Sequence, residues 1–181
     1  KILTEGGIDA VSLANDHTND FGKEGYDSTK AALEAEGIAY SEKDSYLLHT
    51  TPNGLKIGIY TVSVKFDRWS MQQAINKMNR EGADLIVVYF HWGEAVSYAP
   101  NAIQIKNAHA AIDNGADIVI GTNGGLLQGV EYYQNGMICY SLSNFSYGGS
   151  KWPKDMDTVI VQQEIIRDKF GNVSLGEGYF I

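Results

Sequence analysis

The chain has 181 residues, of which 44% are hydrophobic and 11% aromatic, and its formal net charge is −8. This apolar content is enough for a packed core and excludes a disordered chain. The acidic balance excludes a broad nucleic-acid surface, which would show a basic footprint. No apolar run approaches the roughly 18 residues of a membrane span, so we predict no transmembrane segment. The length favours one domain over residues 1–181.

The single cysteine and the first five residues further limit the class of protein. The single cysteine, Cys139, excludes an internal disulfide framework. It lies in the apolar run 137–140, which predicts a buried and inert thiol. The first residues, KILTE, show no basic-then-apolar signal peptide and do not resemble a native start, so a leader or an anchor could have been removed.

Short apolar runs alternate with helical patterns along the chain. Strands are predicted at residues 8–13, 38–40, 85–90 and 118–120, helices at 23–36, 70–81 and 101–114, and hairpins over 46–62, 130–142 and 158–180. Ser70 is the expected cap of the second helix. The β-α-β centre and the antiparallel end predict an α/β fold: a central mixed, sandwich-like sheet with flanking helices and antiparallel hairpins at the C-terminal end.

Polar side chains follow the first predicted strand, in the segment VSLANDHTNDF of residues 11–21. Ligands collect at the carboxyl ends of strands in α/β folds. Asp16 offers hard oxygen atoms to a cation, and His17 can transfer protons near neutral pH. Asp20 could orient His17. The structural alternative is that Asn15, Asp16 and Asn19 form a turn, and that Asp20 caps the following helix.

Three more predicted strands end in polar residues. They are followed by His91-Trp92-Gly93-Glu94, by the segment GTNGG of residues 121–125, and by Ser143-Asn144-Phe145. We expect Asp16, His17, His91, Asn123 and Asn144 to face one cleft. His91 could be a metal ligand or a hydrogen-bonded histidine near the core. The glycine spacing of residues 121–125 does not match a phosphate-binding P-loop. His49 and His109 are assigned structural or surface roles.

Several separated motifs, taken in order, resemble the bacterial capsule-synthesis protein CapA family. They are DAVSLANDH (9–17), DFG (20–22), FHWG (90–93), GADIVIG (115–121), LQ (127–128) and YSLSNF (140–145). The resemblance runs from residue 9 to about residue 147. It implies a role in poly-γ-glutamate capsule biosynthesis and a calcineurin-like metallophosphatase fold.

The chain departs from the family pattern at positions that matter for a metal centre. Asn15-Asp16-His17 stands for the family's Asn-Asn-His, residues 121–125 replace its Gly-x-His-Pro-His, and Leu142 to Phe145 read LSNF instead of LGNF. The family's first strands, with an Asp-containing metal motif, would precede residue 1, so the domain is expected to be N-terminally incomplete relative to the family.

The resemblance also implies roles for the residues that remain. Asp16, His91 and Asn123 take metal positions, and His17 takes the general-acid position with Asp20 beside it. Asn15, Glu94 and Asn144 complete the cleft. This ligand set predicts weak or absent binding of a divalent metal (Mn, Fe or Zn), because an amide oxygen such as that of Asn123 is a weak donor to transition metals.

Three functional hypotheses stay open at this point. The first is a capsule or poly-γ-glutamate assembly protein, extracellular or membrane-associated at the bacterial cell surface, whose site is non-catalytic or weakly catalytic. Its partners would be capsule-synthesis membrane proteins or an anionic polymer. The second is a metal-dependent phosphoesterase-type hydrolase whose missing ligands come from an absent segment or a partner. The third is a divergent domain without activity. The lysines and arginines are scattered in sequence, so no basic patch is predicted.

Overall fold

We describe the protein from a computed structural model, which covers residues 2–62, 66–93, 97–122, 125–145 and 155–181. The helices are α1 (Ile2–Glu5), α2 (Gly22–Ala35), α3 (Arg68–Arg80) and α4 (Ala102–Asp113). The strands are β1 (Ala10–Ser12), β2 (Ala39–Ser41), β3 (Ser45–Thr50), β4 (Lys56–Val62), β5 (Leu85–His91), β6 (Ile118–Thr122), β7 (Val130–Tyr133), β8 (Gly136–Cys139), β9 (Val161–Arg167) and β10 (Val173–Phe180).

A mixed six-stranded sheet forms the centre of the fold, in the order β3-β4-β5-β6-β8-β7. Strands β4, β5, β6 and β8 are parallel, and β3 and β7 pair antiparallel at the two edges. The carboxyl ends of the four parallel strands therefore lie along one edge of the sheet. The predicted hairpins β3–β4 and β7–β8 are confirmed.

Both faces of this sheet are covered, which gives the sandwich-like arrangement that the sequence predicts. On one face, α3 packs Met71, Ile75 and Met78 against side chains of the parallel strands such as Val88 and Phe90. On the other face, the β9–β10 hairpin covers a second cluster, formed by Leu85, Ile118, Met137 and Cys139. Alternate residues of a strand point to opposite faces, so the wholly apolar run of β5 serves both clusters.

Cys139 lies in the second cluster and is fully buried. Burial raises the pKa of its thiol to about 11. The predicted burial of this thiol is therefore confirmed, and a protonated thiol without solvent access is expected to be a poor nucleophile.

The first strand differs from the prediction in length, burial and partner. Residues 8–13 were expected to form a buried strand of the central sheet, but β1 has only three residues, all half-buried. It pairs in parallel with β2 in a separate two-stranded sheet. The hydroxyl groups of Ser41 and Thr61 lie 2.9 Å apart and join β2 to β4. A strand with one short partner and little cover buries less surface than an apolar pattern alone suggests.

The helix starts show where local hydrogen bonds override spacing. Ser70 was expected to cap α3, but the helix begins earlier, because the Asp67 carboxylate accepts from the N–H groups of Trp69 and Ser70. Helix α4 begins at a capping box, in which the Asn101 side chain accepts from the Gln104 N–H and the Gln104 amide oxygen accepts from the Asn101 N–H.

Two aspartates fix the register of the parallel strands at their amino ends. Each follows the same Gly-Ala pair just before a strand, at residues 82–84 and 115–117. The Asp84 carboxylate accepts from the N–H of Lys56 at 2.8 Å, and the Asp117 carboxylate accepts from the N–H of Ile86 at 2.7 Å. Each carboxylate thus binds a backbone N–H at the start of the neighbouring parallel strand. Asp84 also binds Arg167 of the covering hairpin at 2.7 Å.

These equivalent aspartates should respond to pH in opposite ways. Hydrogen bonding from Lys56 and the Arg167 guanidinium lower the pKa of Asp84, so its charge stabilises the folded state above the usual carboxyl pKa and this contribution is lost in acid. Burial raises the pKa of Asp117, so stability falls as pH rises through the window between the unfolded and folded values. We expect Asp84→Asn to be most destabilising at neutral pH, and Asp117→Asn to gain stability relative to wild type with rising pH.

Urea unfolding of both variants and wild type between about pH 4 and pH 7 measures this contrast. The two asparagine variants serve as controls for each other, since each keeps a carbonyl oxygen that can accept the strand N–H. Parallel pH dependence of the two differences from wild type would show that these carboxylates do not have the opposite environments described here.

Candidate functional site

The end of β5 and the turn after β1 bring Asp16 and His91 together. His91 is the last residue of β5, and its Nε2 lies 3.6 Å from Asp16 Oδ2. The His91 side chain is 13% exposed and that of Asp16 is 46% exposed. The pair therefore lies at the carboxyl-end edge of the sheet, with the imidazole on its protein side and the carboxylate towards solvent.

The turn after β1 is held by its own polar side chains. Asn15 Oδ1 accepts from the N–H of His17 at 2.8 Å, and the Thr18 hydroxyl donates to the Leu13 carbonyl at 2.5 Å. Such Asx-type contacts fix a turn without regular secondary structure. Asn15 thus has the turn-forming role that was the structural alternative, and the turn it forms presents Asp16 towards His91.

His91 is electrostatically suited to bind a cation through a ring nitrogen. Burial lowers its pKa, the Asp16 carboxylate acts in the opposite direction, and His17 lowers the pKa further. The net effect favours the neutral ring, which is the form that a metal ligand requires.

His17 and Asp20 form a second pair beside the first. His17 Nδ1 lies 2.8 Å from Asp20 Oδ2, and the two side chains are 82% and 52% exposed. The residue before α2 is Phe21, and no side chain caps this helix start. Asp20 therefore contacts His17 and does not cap α2. A small pocket of about 180 Å³ opens beside His17 and is bordered by Thr18, Phe21 and Tyr26.

The remaining predicted residues fall into two groups. Asn123 and Glu94 lie outside the described residues. Asn144 is exposed beyond β8, and a methyl group added at Gly125 would come within 3.1 Å of its Nδ2, so Asn144 lies against the chain just after the β6 loop. Its position relative to Asp16 and His91 stays a prediction.

Asp16 and His91 are two candidate ligands for a cation, and the described residues add no third. Among them, no group of three or more His, Cys, Asp and Glu side chains is placed to hold one ion. Two ligands of one ion with bonds of about 2.1 Å lie about 3.4 Å apart at a tetrahedral angle. The 3.6 Å between Asp16 and His91 fits two ligands of the same ion. Further donors would be needed to complete its coordination.

A glutamine pair, which the sequence analysis did not assign, holds the chain that follows His91. Gln104 is 3% exposed, and its Nε2 donates to Gln128 Oε1 at 2.8 Å. Gln128 Nε2 donates in turn to the Ser97 carbonyl at 3.0 Å. The family-like Leu-Gln pair at 127–128 was the available signal, but pairing two glutamines distant in sequence requires the fold.

Trp92 fixes the strand end itself. Its backbone N–H donates to the Thr122 carbonyl and its indole Nε1 donates to the Tyr140 carbonyl, both at 2.9 Å. A methyl group at Gly121 would overlap the Tyr140 carbonyl oxygen and the indole nitrogen. Glycine is therefore required at 121 for the close approach of β6, β8 and the residue next to His91.

The fold and this site define an α/β protein whose candidate ligands lie at the carboxyl ends of strands. Comparison with known sequences then gives the family. A protein-family model described as "Bacterial capsule synthesis protein PGA_cap" matches residues 1–68 and 43–148. The chain belongs to this family of capsule synthesis proteins, which confirms the resemblance drawn from the motifs.

Two curated relatives agree with this assignment. The capsule biosynthesis protein CapA of Bacillus anthracis is 30% identical over 190 residues, covering 91% of this chain and 46% of that protein. The PGA biosynthesis protein CapA of Bacillus subtilis is 28% identical over 197 residues, covering 94% of this chain and 50% of that protein. The chain thus spans about half the length of these relatives.

A solved structure supports the fold. Sulfate thiohydrolase SoxB of Thermus thermophilus, determined with glycerol, superposes with a TM-score of 0.59 at 13% identity. The match covers 98% of this chain and 33% of SoxB. The predicted α/β class, a central mixed sheet with flanking helices and a C-terminal antiparallel hairpin, is confirmed by the sheet order and this likeness.

The Asp16–His91 contact can be tested through the imidazole. In metal-free protein, we expect Asp16→Asn to lower the pKa of His91 further, because the carboxylate is the main group that acts against burial. Asp20→Asn is the matched control, since that carboxylate binds His17. Titration of the histidine ring protons by NMR measures both variants. An unchanged His91 titration in Asp16→Asn would contradict the contact.

Proposed function

We propose that this chain acts in the assembly of a poly-γ-glutamate-type capsule and carries a degenerate metallophosphatase-like site. The family match over residues 1–148 is the observation on which this proposal depends. The names of the two Bacillus relatives, which concern capsule and PGA biosynthesis, support it. The role in polymer handling would be non-catalytic or weakly catalytic.

The incomplete set of metal ligands is the reason for proposing a degenerate site. Asp16 and His91 are strong candidate donors to one ion, whereas residues 121–125 contain no histidine, cysteine or carboxylate. Asn123 would add only an amide oxygen, which binds transition metals weakly. A bound divalent ion (Mn, Fe or Zn) would supply Lewis-acid chemistry, and Asp16 and His91 are the residues that would hold it.

The second candidate is a metal-dependent phosphoesterase-type hydrolase whose other ligands come from an additional segment or a partner. The His17–Asp20 pair favours this candidate, because a carboxylate that binds one ring nitrogen orients the imidazole for proton transfer at the other. In that case His17 would protonate the leaving group and Asp20 would hold its ring.

The cellular setting belongs to the same proposal. Within the described residues, no helix is both long and apolar enough to cross a membrane. We propose a location at the bacterial cell surface, extracellular or membrane-associated, and the names of the relatives as capsule biosynthesis proteins support it. Capsule-synthesis membrane proteins and the anionic polymer are its proposed partners.

Metal titration tests the degenerate site. We expect Mn²⁺ and Zn²⁺ to bind this chain weakly or not measurably, and Asp16→Asn with His91→Ala to remove any binding that is seen. Isothermal titration calorimetry on chelator-treated protein provides the measurement, with His49→Ala as a histidine control in β3, away from this pair. Sub-micromolar binding by the unmodified chain would contradict the proposal and favour the hydrolase.

Hydrolysis of an aryl phosphate tests the second candidate directly. If the chain is a hydrolase, His17→Ala should lower turnover by about 10² to 10⁴, the usual contribution of general acid–base catalysis. His109→Ala is the control, because His109 lies in α4 and binds Glu131. Since the capsule proposal predicts activity near background, robust wild-type turnover that His17→Ala abolishes would establish the hydrolase instead.

A further inference from the structure

A groove on the helical side of the fold differs in charge from the rest of the chain. It has a volume of about 630 Å³ and runs between the start of α3 and the outer side of α4. Arg68 enters it from α3, and Lys106 and His109 enter it from α4. Phe66 and Tyr133 form aromatic walls. None of these residues belongs to the site at the strand ends.

The two cations of this groove, Arg68 and Lys106, have no acidic partner among the described residues. Across the described residues, Arg68 and Lys106 make no ion pair and no side-chain hydrogen bond, and both are exposed. Four other described cations face carboxylates: Lys23 pairs with Asp27, Lys30 with Asp27 and Glu42, Lys77 with Glu81, and Arg167 with Asp84. Arg80 and Lys43 also lack ion pairs among the described residues, but they do not line the groove. What distinguishes the groove is that it brings two such unpaired cations together from different helices, in a chain of net charge −8.

The acidic groups near the groove already have partners. Asp113 lines the groove, and its carboxylate accepts from the Tyr133 hydroxyl at 3.3 Å and from Gln134 Nε2 at 2.8 Å. Glu131 accepts from the Tyr140 hydroxyl at 2.6 Å and lies 2.9 Å from His109 Nε2. The His109 ring also stacks on Tyr133, with centroids 3.8 Å apart. These contacts hold His109 in place. Asp113 keeps its charge, since its donors are neutral, but it binds neither Arg68 nor Lys106, so the groove presents two cations and one carboxylate to a ligand.

We infer that this groove, lined by Arg68 and Lys106, binds an acidic polymer with a carboxylate on each repeat. The inference rests on the proposed capsule function and locates the polymer on the helical side. An arginine fork matches a carboxylate in two-point geometry, and a lysine supplies a second charge without fixed geometry. The net negative charge repels a polyanion, but screening over about 8 Å at physiological salt lets a local cationic groove dominate at contact.

Fluorescence anisotropy of labelled poly-γ-glutamate at about 0.15 M ionic strength, where the screening length is about 8 Å, tests the groove. The double variant Arg68→Ala/Lys106→Ala should bind about tenfold more weakly than wild type, towards the upper end of what two exposed charge contacts contribute together. Its affinity should also depend less on added salt. Both residues are exposed, so the variant should keep the wild-type melting temperature.

The matched control is Arg80→Ala/Lys43→Ala. It removes the same charge from two exposed residues that, within the described part of the chain, also lack ion pairs. Arg80 lies at the opposite end of α3 from Arg68. We expect this control to bind within about twofold of wild type, since only the long-range charge term changes.

The outcomes separate the groove from the function on which it rests. Equal weakening by both double variants would overturn the groove and leave the capsule proposal standing. No polymer binding by wild type would overturn the proposed polymer role, and the groove with it. If wild type binds inorganic phosphate through Arg68 and Lys106 but does not bind the polymer, the groove is a small-anion site and the inference is wrong.

Discussion

The parallel register of the central strands is the constraint on which the site depends. Asp84 and Asp117 each bind a backbone N–H at the start of a neighbouring strand, so β4, β5 and β6 begin in step. Strands that begin in step and have similar lengths also end together. The position of His91 at a shared edge is thus determined at the opposite end of the sheet. Two carboxylates in the same local sequence do this in different surroundings, one against Arg167 and one largely buried.

The large elements could be predicted because their sequence patterns agree with their surroundings. β5 reads as a continuous apolar run and is covered on both faces, and the hairpins carry turn residues between alternating segments. β1 was predicted less well, because an apolar run specifies burial only when there is a sheet to join. Its single partner, β2, leaves it half-buried. The start of α3 depended on Asp67, which competes locally with the predicted cap at Ser70.

The candidate site shows the same division. That polar strand ends would meet could be argued from topology alone, and Asp16 and His91 are in fact close. Whether Asp20 caps α2 or orients His17 could not be argued from the sequence, because both roles need a carboxylate at that position. Only coordinates show the carboxylate next to His17. The basic groove was equally hidden, since Arg68 and Lys106 belong to different helices and look isolated along the chain.

The separation of β1 and β2 from the six-stranded sheet has a consequence for local stability. A three-residue pair that joins the main sheet through contacts such as Ser41–Thr61 should open at lower free energy than the sandwiched core. Asp16 belongs to this weaker unit and His91 to the stronger one. A ligand bound by both side chains would couple the small β1–β2 sheet to the six-stranded sheet, two parts that otherwise fluctuate separately. Such binding would slow amide hydrogen exchange in β1 and β2, even if the average structure did not change.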